Sequence, residues 1–433
     1  MQFHSLNKQA PAVDFRTATI NGQAPDKGLY FPEHIPFLPN DFINEINFYS
    51  KEEVALQVIA PYVGNSIPRS ELQRIVAETV AFDFPLVPIT ENIQSLELYH
   101  GPTLAFKDVG ARFMSRCLGY FVQGQNGKVT VLVATSGDTG GAVANGFYGV
   151  DGVDVIILYP SGKVSPVQEL QLTTLGKNVT ALEVAGRFDD CQRMVKQAFA
   201  DDTLQKELFL TSANSINVAR WLPQQVYYFF AWQQWADKEH PPVICVPSGN
   251  FGNICAGVLA AQSGLPVQHF IAACNANDIV PQYLQSGNYA AKEAVATLSN
   301  AMDVGDPSNF VRILEIFQNE FAALKNKLSA TSVSDEETKA TIARVFGEQN
   351  YVLDPHGAVA YLSLERYLQQ HPAQKGYILE TAHPVKFPEA VEQATGQKIE
   401  VPQSIQGLFG KEKQSIKMEP DFEALKSFLL DKK

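Results

Sequence analysis

Residues 243–254 read VICVPSGNFGNI. Val243 to Val246 is a short apolar run without polar alternation, which predicts a strand buried on both faces. Ser248-Gly249-Asn250-Phe251-Gly252-Asn253 follows and opens a helix expected over Ile254 to Gln262. Strand, glycine-rich turn and helix together make half of a βαβ unit. The two glycines let the main chain wrap an anion, with N–H groups at the helix start and Asn side chains as donors. A tight turn without a ligand fits the same residues. The loop is neither a Walker loop, since no GK[ST] follows, nor a GxGxxG fingerprint.

This segment lies in the longest stretch free of Asp, Glu, Lys and Arg, His240 to Asn277. A membrane-spanning helix needs about 20 consecutive apolar residues. Here Pro241, Pro242, Pro247, Gly249, Gly252 and Gly264 interrupt the run, so no membrane span is expected. The 433 residues suggest two or three domains at about 150 residues each. Charged residues are 18%, below the roughly 25% of average globular chains, so much of the chain is expected to be interior. Lys plus Arg is 34 and Asp plus Glu is 46, a net charge of −12. An acidic chain without basic blocks excludes nucleic-acid binding and polybasic attachment to a membrane. The 27 Phe and 15 Tyr exclude global disorder.

Met1 to Phe15 has no apolar core and no Arg-rich pattern, so no secretory signal or transit peptide is expected. Five cysteines, Cys117, Cys191, Cys245, Cys255 and Cys274, include no CxxC pair and read as buried free thiols in a reducing, cytoplasmic compartment. The eight histidines show no HExxH, so no metal site is expected.

Other apolar runs resemble the first: Val129 to Ala134, Val153 to Tyr159, Val179 to Val184 and His269 to Ala273. Helical patterns separate them over Gly140 to Tyr148, Pro166 to Thr174 and Asp189 to Ala200. The alternation predicts an α/β fold with open, mostly parallel sheets. Before residue 90 the texture differs, with helices expected over Lys51 to Val63 and Ser70 to Val80 between Pro-rich turns. From Pro420 a final amphipathic helix is expected.

Two further loops carry chemistry. Thr135-Ser136-Gly137-Asp138-Thr139-Gly140 follows a strand and opens a helix, so its N–H groups and hydroxyls suit a carboxylate or phosphate. An ordinary capped turn fits equally, because Ser, Asp and Thr are all good N-caps. In His100 to Asp108, Lys107 stands among small and apolar neighbours just inside a helix. Such a lysine can have the depressed pKa that Schiff-base chemistry needs, although a lone lysine is ordinarily a solvated charge. Ser165-Pro166-Val167-Gln168 fits a capping box with Lys163 just before it. Asn214, Ser215 and Arg220 cluster where a loop enters a helix, and Arg suits bidentate phosphate binding.

Together these segments resemble the threonine synthase family, pyridoxal-phosphate enzymes of fold type II. The matching stretches are residues 27–32 (KGLYFP), HGPTLAFKD from His100, TSGDTG from Thr135, YPSGKVSP from Tyr159, SANSIN from Ser212, VPSGNFGN from Val246, TLSNAMDVGDPSNF from Thr297 and TAHPVKF from Thr381. They run in family order from residue 27 to 387.

The resemblance implies two open, twisted, mostly parallel sheet lobes flanked by helices, with an α-rich N-terminal domain. It divides the chain into 1–90, a catalytic region 91–395 with a smaller lobe of roughly 130–215 inserted, and a helical tail 396–433. It implies pyridoxal 5′-phosphate, held covalently by Lys107. Gly249, Asn250, Phe251, Gly252 and Asn253 would surround the cofactor phosphate; position 253 is Asn where relatives often have Asp. Thr381 would face the pyridine nitrogen, and Asp138 the cofactor 3′-oxygen, where many fold type II enzymes carry Asn. Ser136, Gly137 and Thr139 would hold the substrate carboxylate. Asn214, Ser215 and Arg220, with Lys163, are candidates for the substrate phosphate. The implied reaction converts O-phospho-L-homoserine and water to L-threonine and phosphate, in a monomer or homodimer. A phospholyase releasing 2-oxobutyrate and a non-catalytic binding protein are the alternatives.

Overall fold

The computed structural model describes residues 1–124 and 128–432. Two large sheets carry most of the chain after residue 85. The larger has six strands in the order Leu328–Ser332, His269–Cys274, Val243–Pro247, Gly376–Glu380, Ile93–Glu97 and Leu86–Pro88. All its pairs are parallel except the last, where Leu86–Pro88 runs antiparallel to Ile93–Glu97. The smaller sheet is fully parallel, in the order Ile416–Met418, Val179–Val184, Val153–Pro160, Val129–Ala134 and Phe209–Thr211. All five apolar runs read from the sequence are therefore strands. Their burial explains the missing alternation: Val243 to Pro247 is buried at every position.

The helices after the two anion loops begin earlier than their apolar spacing predicts. They run over Asp138–Phe147 and Gly252–Gln262, because loop residues themselves form the first turn. Pro166–Thr173 starts as expected: the Ser165 side chain accepts from the Gln168 N–H, the Gln168 side chain returns to Ser165, and Pro166 stands at the first helical position.

The N-terminal region combines helices with a small antiparallel sheet, Val13–Asp14, Gln2–Ser5 and Tyr30–Pro32. Its helix Lys51–Val63 is started by a capping box between Ser50 and Glu53. The C-terminal residues join the smaller lobe. Ile416–Met418 pairs with Val179–Val184, and Leu425 and Leu429 of the helix Phe422–Asp431 bury against Leu158, Val184 and Met194. That strand is three residues among charges, too short to read from periodicity. Among the described residues no helix is long and apolar enough to cross a membrane.

The central strand Gly376–Glu380 ends in a fully buried carboxyl. Glu380 Oε1 accepts the Asp354 N–H at 2.7 Å, while Oε2 has no partner among the described residues. Burial, with Asp354 and Glu97 nearby, pushes the Glu380 carboxyl well above the usual carboxylate range. A carboxyl raised in the fold ionises first in the unfolded chain, so stability is lost as pH climbs above the unfolded value. Glu380→Gln should therefore be more stable than the parent at pH 7. The gain should vanish below about pH 4, where both states of the parent are protonated; thermal melts at the two pH values check this.

Candidate active site

The site is built where the larger sheet's strands end. After Ile93–Glu97 the chain runs through residues 98–106 and enters the helix Lys107–Val122. Thr103 prepares that turn by donating its N–H and hydroxyl to the carboxylate of Asp108. After Gly376–Glu380 the chain passes antiparallel to the same segment. Phe106 N–H donates to the Thr381 carbonyl at 2.9 Å, His383 N–H to the Leu104 carbonyl at 3.0 Å, and Ala105 bridges Ala382. Tyr227 Oη donates to the Phe106 carbonyl. Lys107 is thus the first residue of its helix, next to a pinned backbone, with Thr381 beside it.

The Lys107 side chain is half-buried, and among the described residues its ammonium makes no hydrogen bond. It stands 5.6 Å from the centroid of the Phe106 ring. Desolvation pulls its pKa down to about 8 against the opposing pull of Asp138, and the cations Lys386 and Arg220 add to the fall. An amine that is substantially neutral near pH 8 suits attack on a carbonyl. Thr381 is buried and its hydroxyl makes no hydrogen bond among the described residues.

In the 135–140 loop, Thr135 Oγ1 accepts from Gly137 N–H at 3.0 Å and Gly140 N–H at 2.8 Å. The N–H groups of Ser136, Asp138 and Thr139 donate to nothing among the described residues. Gly137 has φ of +140°, and a Cβ there would sit 2.4 Å from the Gln168 side chain. Only glycine fits that conformation.

The 248–253 loop is held by its neighbours so that its own amides stay free. Ser248 N–H donates to the Ala273 carbonyl at 2.8 Å. Asn250 Nδ2 donates to Ser215 Oγ at 2.6 Å, and Asn250 Oδ1 accepts from Ser308 N–H at 2.6 Å. Asn253 Nδ2 donates to the Pro247 carbonyl at 2.8 Å and its Oδ1 accepts from Ile254 N–H. The Asn side chains thus brace the loop, where the sequence reading has them donating to the anion. The N–H groups of residues 249 to 253 have no acceptor among the described residues. Phe251 takes a left-handed φ of +61° at the helix start.

Two residues missed in the sequence complete the site. Lys386, fully buried, places its Nζ 2.6 Å from Asp138 Oδ1 and donates to the Thr103 carbonyl at 2.9 Å. Gln168 Nε2 donates to the same Asp138 oxygen at 2.9 Å. Burial alone would raise the Asp138 carboxyl, but Lys386, Lys107 and Gln168 outweigh it and hold it well below the usual carboxylate range. The one signal for Lys386 was its setting, a lysine enclosed by Pro384, Val385, Phe387 and Pro388.

No hydrogen bond or ion pair among the described residues joins the substrate-phosphate candidates to one another. Ser215 borders the 248–253 loop through Asn250. Asn214 is half-buried, and its N–H donates to Ser212 Oγ. Arg220 is buried: one guanidinium nitrogen donates to the Ala213 carbonyl, Nε has no partner among the described residues, and desolvation pulls its pKa down to about 10. Lys163 is exposed, and no contact among the described residues joins it to Arg220.

A partly neutral lysine, a buried hydroxyl without a partner and a loop of five unsatisfied amides are the donor set that pyridoxal phosphate requires. The class is therefore a pyridoxal-phosphate-dependent enzyme of fold type II, and residues 95–379 match the family model described as "Pyridoxal-phosphate dependent enzyme". Residues 2–80 match "Threonine synthase N terminus" and residues 357–429 "Threonine synthase, C-terminal". The chain is 43% identical over 431 residues to the threonine synthase of Haemophilus influenzae, covering 99% of this chain and 100% of that one. It superposes on the crystal structure of the Escherichia coli threonine synthase with a TM-score of 0.92 at 40% identity, covering 100% of both. The pyridoxal-phosphate-bound threonine synthase of Brucella melitensis gives a TM-score of 0.93 at 36% identity, with 100% of this chain and 99% of that one covered. The chain belongs to the threonine synthase family, and its cofactor is pyridoxal phosphate.

At Gly249 an added Cβ would meet Met302 Cα at 2.6 Å and the Ala301 carbonyl at 2.7 Å, both backbone atoms that cannot swing away. Gly249→Ala should displace the loop and weaken cofactor affinity about tenfold or more. Fluorescence titration of the folded apo-protein with pyridoxal phosphate checks this, and the same clash should lower the melting temperature of the apo-protein.

Proposed function

We propose that this chain converts O-phospho-L-homoserine and water to L-threonine and phosphate, with Lys107 as the cofactor lysine and the base. What supports the residue assignment is the Lys107 amine, without a hydrogen bond among the described residues, at the start of its helix beside Thr381, where desolvation pulls its pKa down to about 8. Pyridoxal phosphate, when bound, supplies an electron sink for the charge developed at the substrate Cα. The free amides of residues 249 to 253 would hold its phosphate, Thr381 would meet the pyridine nitrogen through a neutral hydroxyl, and Asp138 would lie toward its 3′-oxygen.

The unsatisfied N–H groups of Ser136 and Thr139, with that of Asp138 between them, would orient the substrate by its α-carboxylate, while Gly137, whose own N–H is taken by Thr135 Oγ1, shapes the turn with its φ of +140°. Lys107, once its amine is free, takes the proton from Cα and moves protons at Cα and Cβ. Departure of the γ-phosphate concentrates negative charge on its oxygens, which Arg220, Asn214, Ser215 and Lys163 would stabilise. Buried and with Nε unpaired, Arg220 is the strongest of the four; the exposed Lys163 is the weakest. Water then adds at Cβ. Five free, buried cysteines support a cytoplasmic setting, and the chain would act as a monomer or homodimer.

Purified protein given O-phospho-L-homoserine should release threonine and inorganic phosphate in equal amounts, and Lys107→Ala should abolish both. Chromatographic analysis of the products decides. Release of 2-oxobutyrate and ammonia would identify a phospholyase, and normal turnover by Lys107→Ala would remove Lys107 from the mechanism.

A further inference from the structure

Lys386 joins three pieces of chain at one ammonium. It belongs to the turn Pro384–Lys386, it donates to the Thr103 carbonyl in the segment that carries Lys107, and it pairs with Asp138 at the first turn of a smaller-lobe helix. Gln171 Nε2 also donates to the Thr103 carbonyl at 3.0 Å, so this anchor is fixed from the smaller lobe as well. On Asp138, Lys386 and Gln168 both address Oδ1, and no hydrogen bond among the described residues reaches Oδ2. The charged groups that act on Lys107 are Asp138, Lys386 and Arg220. Those around Lys386 are Asp138, Lys107, Asp108 and His383, of which Asp108 is turned back onto Thr103.

This is one carboxylate shared between two lysines, only one of which is bonded to it. A buried carboxylate with no cation is costly, and one whose nearest cation is a lysine amine locks that amine in its protonated form. If Lys386 were absent, Lys107 would be the lysine left to answer Asp138. We infer that Lys386 is a positioning residue that occupies Asp138 and so keeps it from pairing with Lys107, leaving the Lys107 amine free to lose its proton. This role rests on Lys107 being the cofactor lysine, as proposed above.

The test is the reactivity of Lys107 in the full-length apo-protein, labelled with a trace of acetic anhydride across a pH series and read by peptide mass spectrometry. In the parent, half-maximal reactivity should fall at about pH 8. Lys386→Gln should raise that midpoint by about one unit or more, because Asp138 then turns to Lys107. Asp138→Asn should lower it, and the double variant should return close to the parent. A residue that merely stabilises the fold would lower the melting temperature and leave the midpoint in place. An unchanged midpoint in Lys386→Gln, or a double variant as high as the single one, overturns the inference. Should Lys386→Gln fail to fold, Asp138→Asn decides alone: no downward shift overturns the inference. Failure of the cofactor assignment shows separately, as turnover by Lys107→Ala, since the labelling needs neither cofactor nor substrate.

Discussion

Phe106 N–H on the Thr381 carbonyl and His383 N–H on the Leu104 carbonyl are the contacts on which the site depends. They join the ends of two neighbouring parallel strands, Ile93–Glu97 and Gly376–Glu380, by a short antiparallel crossing. Because main-chain atoms make the crossing, its geometry does not depend on side-chain rotamers. It sets the start of the Lys107 helix beside Thr381, and it carries Lys386 three residues on toward Asp138. The smaller lobe meets this crossing through Gln171 and Lys386 at the Thr103 carbonyl.

Acidic as the chain is, the groups it must hold are anionic. The resolution is local. On the proposed function, donors would come from amides that have no acceptor among the described residues, residues 249 to 253 in one loop and 136, 138 and 139 in the other, each at a helix start where the dipole favours negative charge. The Asn side chains of the first loop spend their hydrogen bonds on keeping it rigid. On that proposal the charge-free stretch around Val243 follows: a phosphate held by main chain would need no lysine or arginine there.

Much of the fold was legible because buried parallel strands and glycine-rich turns leave local signatures. Val129–Ala134 and Val179–Val184 could be read to the residue. Ile93–Glu97 could not, since Ser95 and Glu97 are buried polar residues whose partner, Tyr351, is far along the chain. Ile416–Met418 is a strand only because Val179–Val184 offers it an edge. In the proposed site, Lys107, Thr381 and both loops were singled out through their motifs. Lys386 escaped because its role lies in a pair with Asp138 that only tertiary folding creates. Gln168 was read correctly as a cap, but its bond to Asp138 is again tertiary.

The central claim is that the 104–106 and 381–383 crossing makes Lys107 the lysine that carries the cofactor. Borohydride reduction of the protein loaded with pyridoxal phosphate, followed by peptide mass spectrometry, tests it most directly. A single pyridoxyl adduct on Lys107 is the predicted result. An adduct on Lys386, Lys163 or any other lysine, with Lys107 unmodified, would contradict the account.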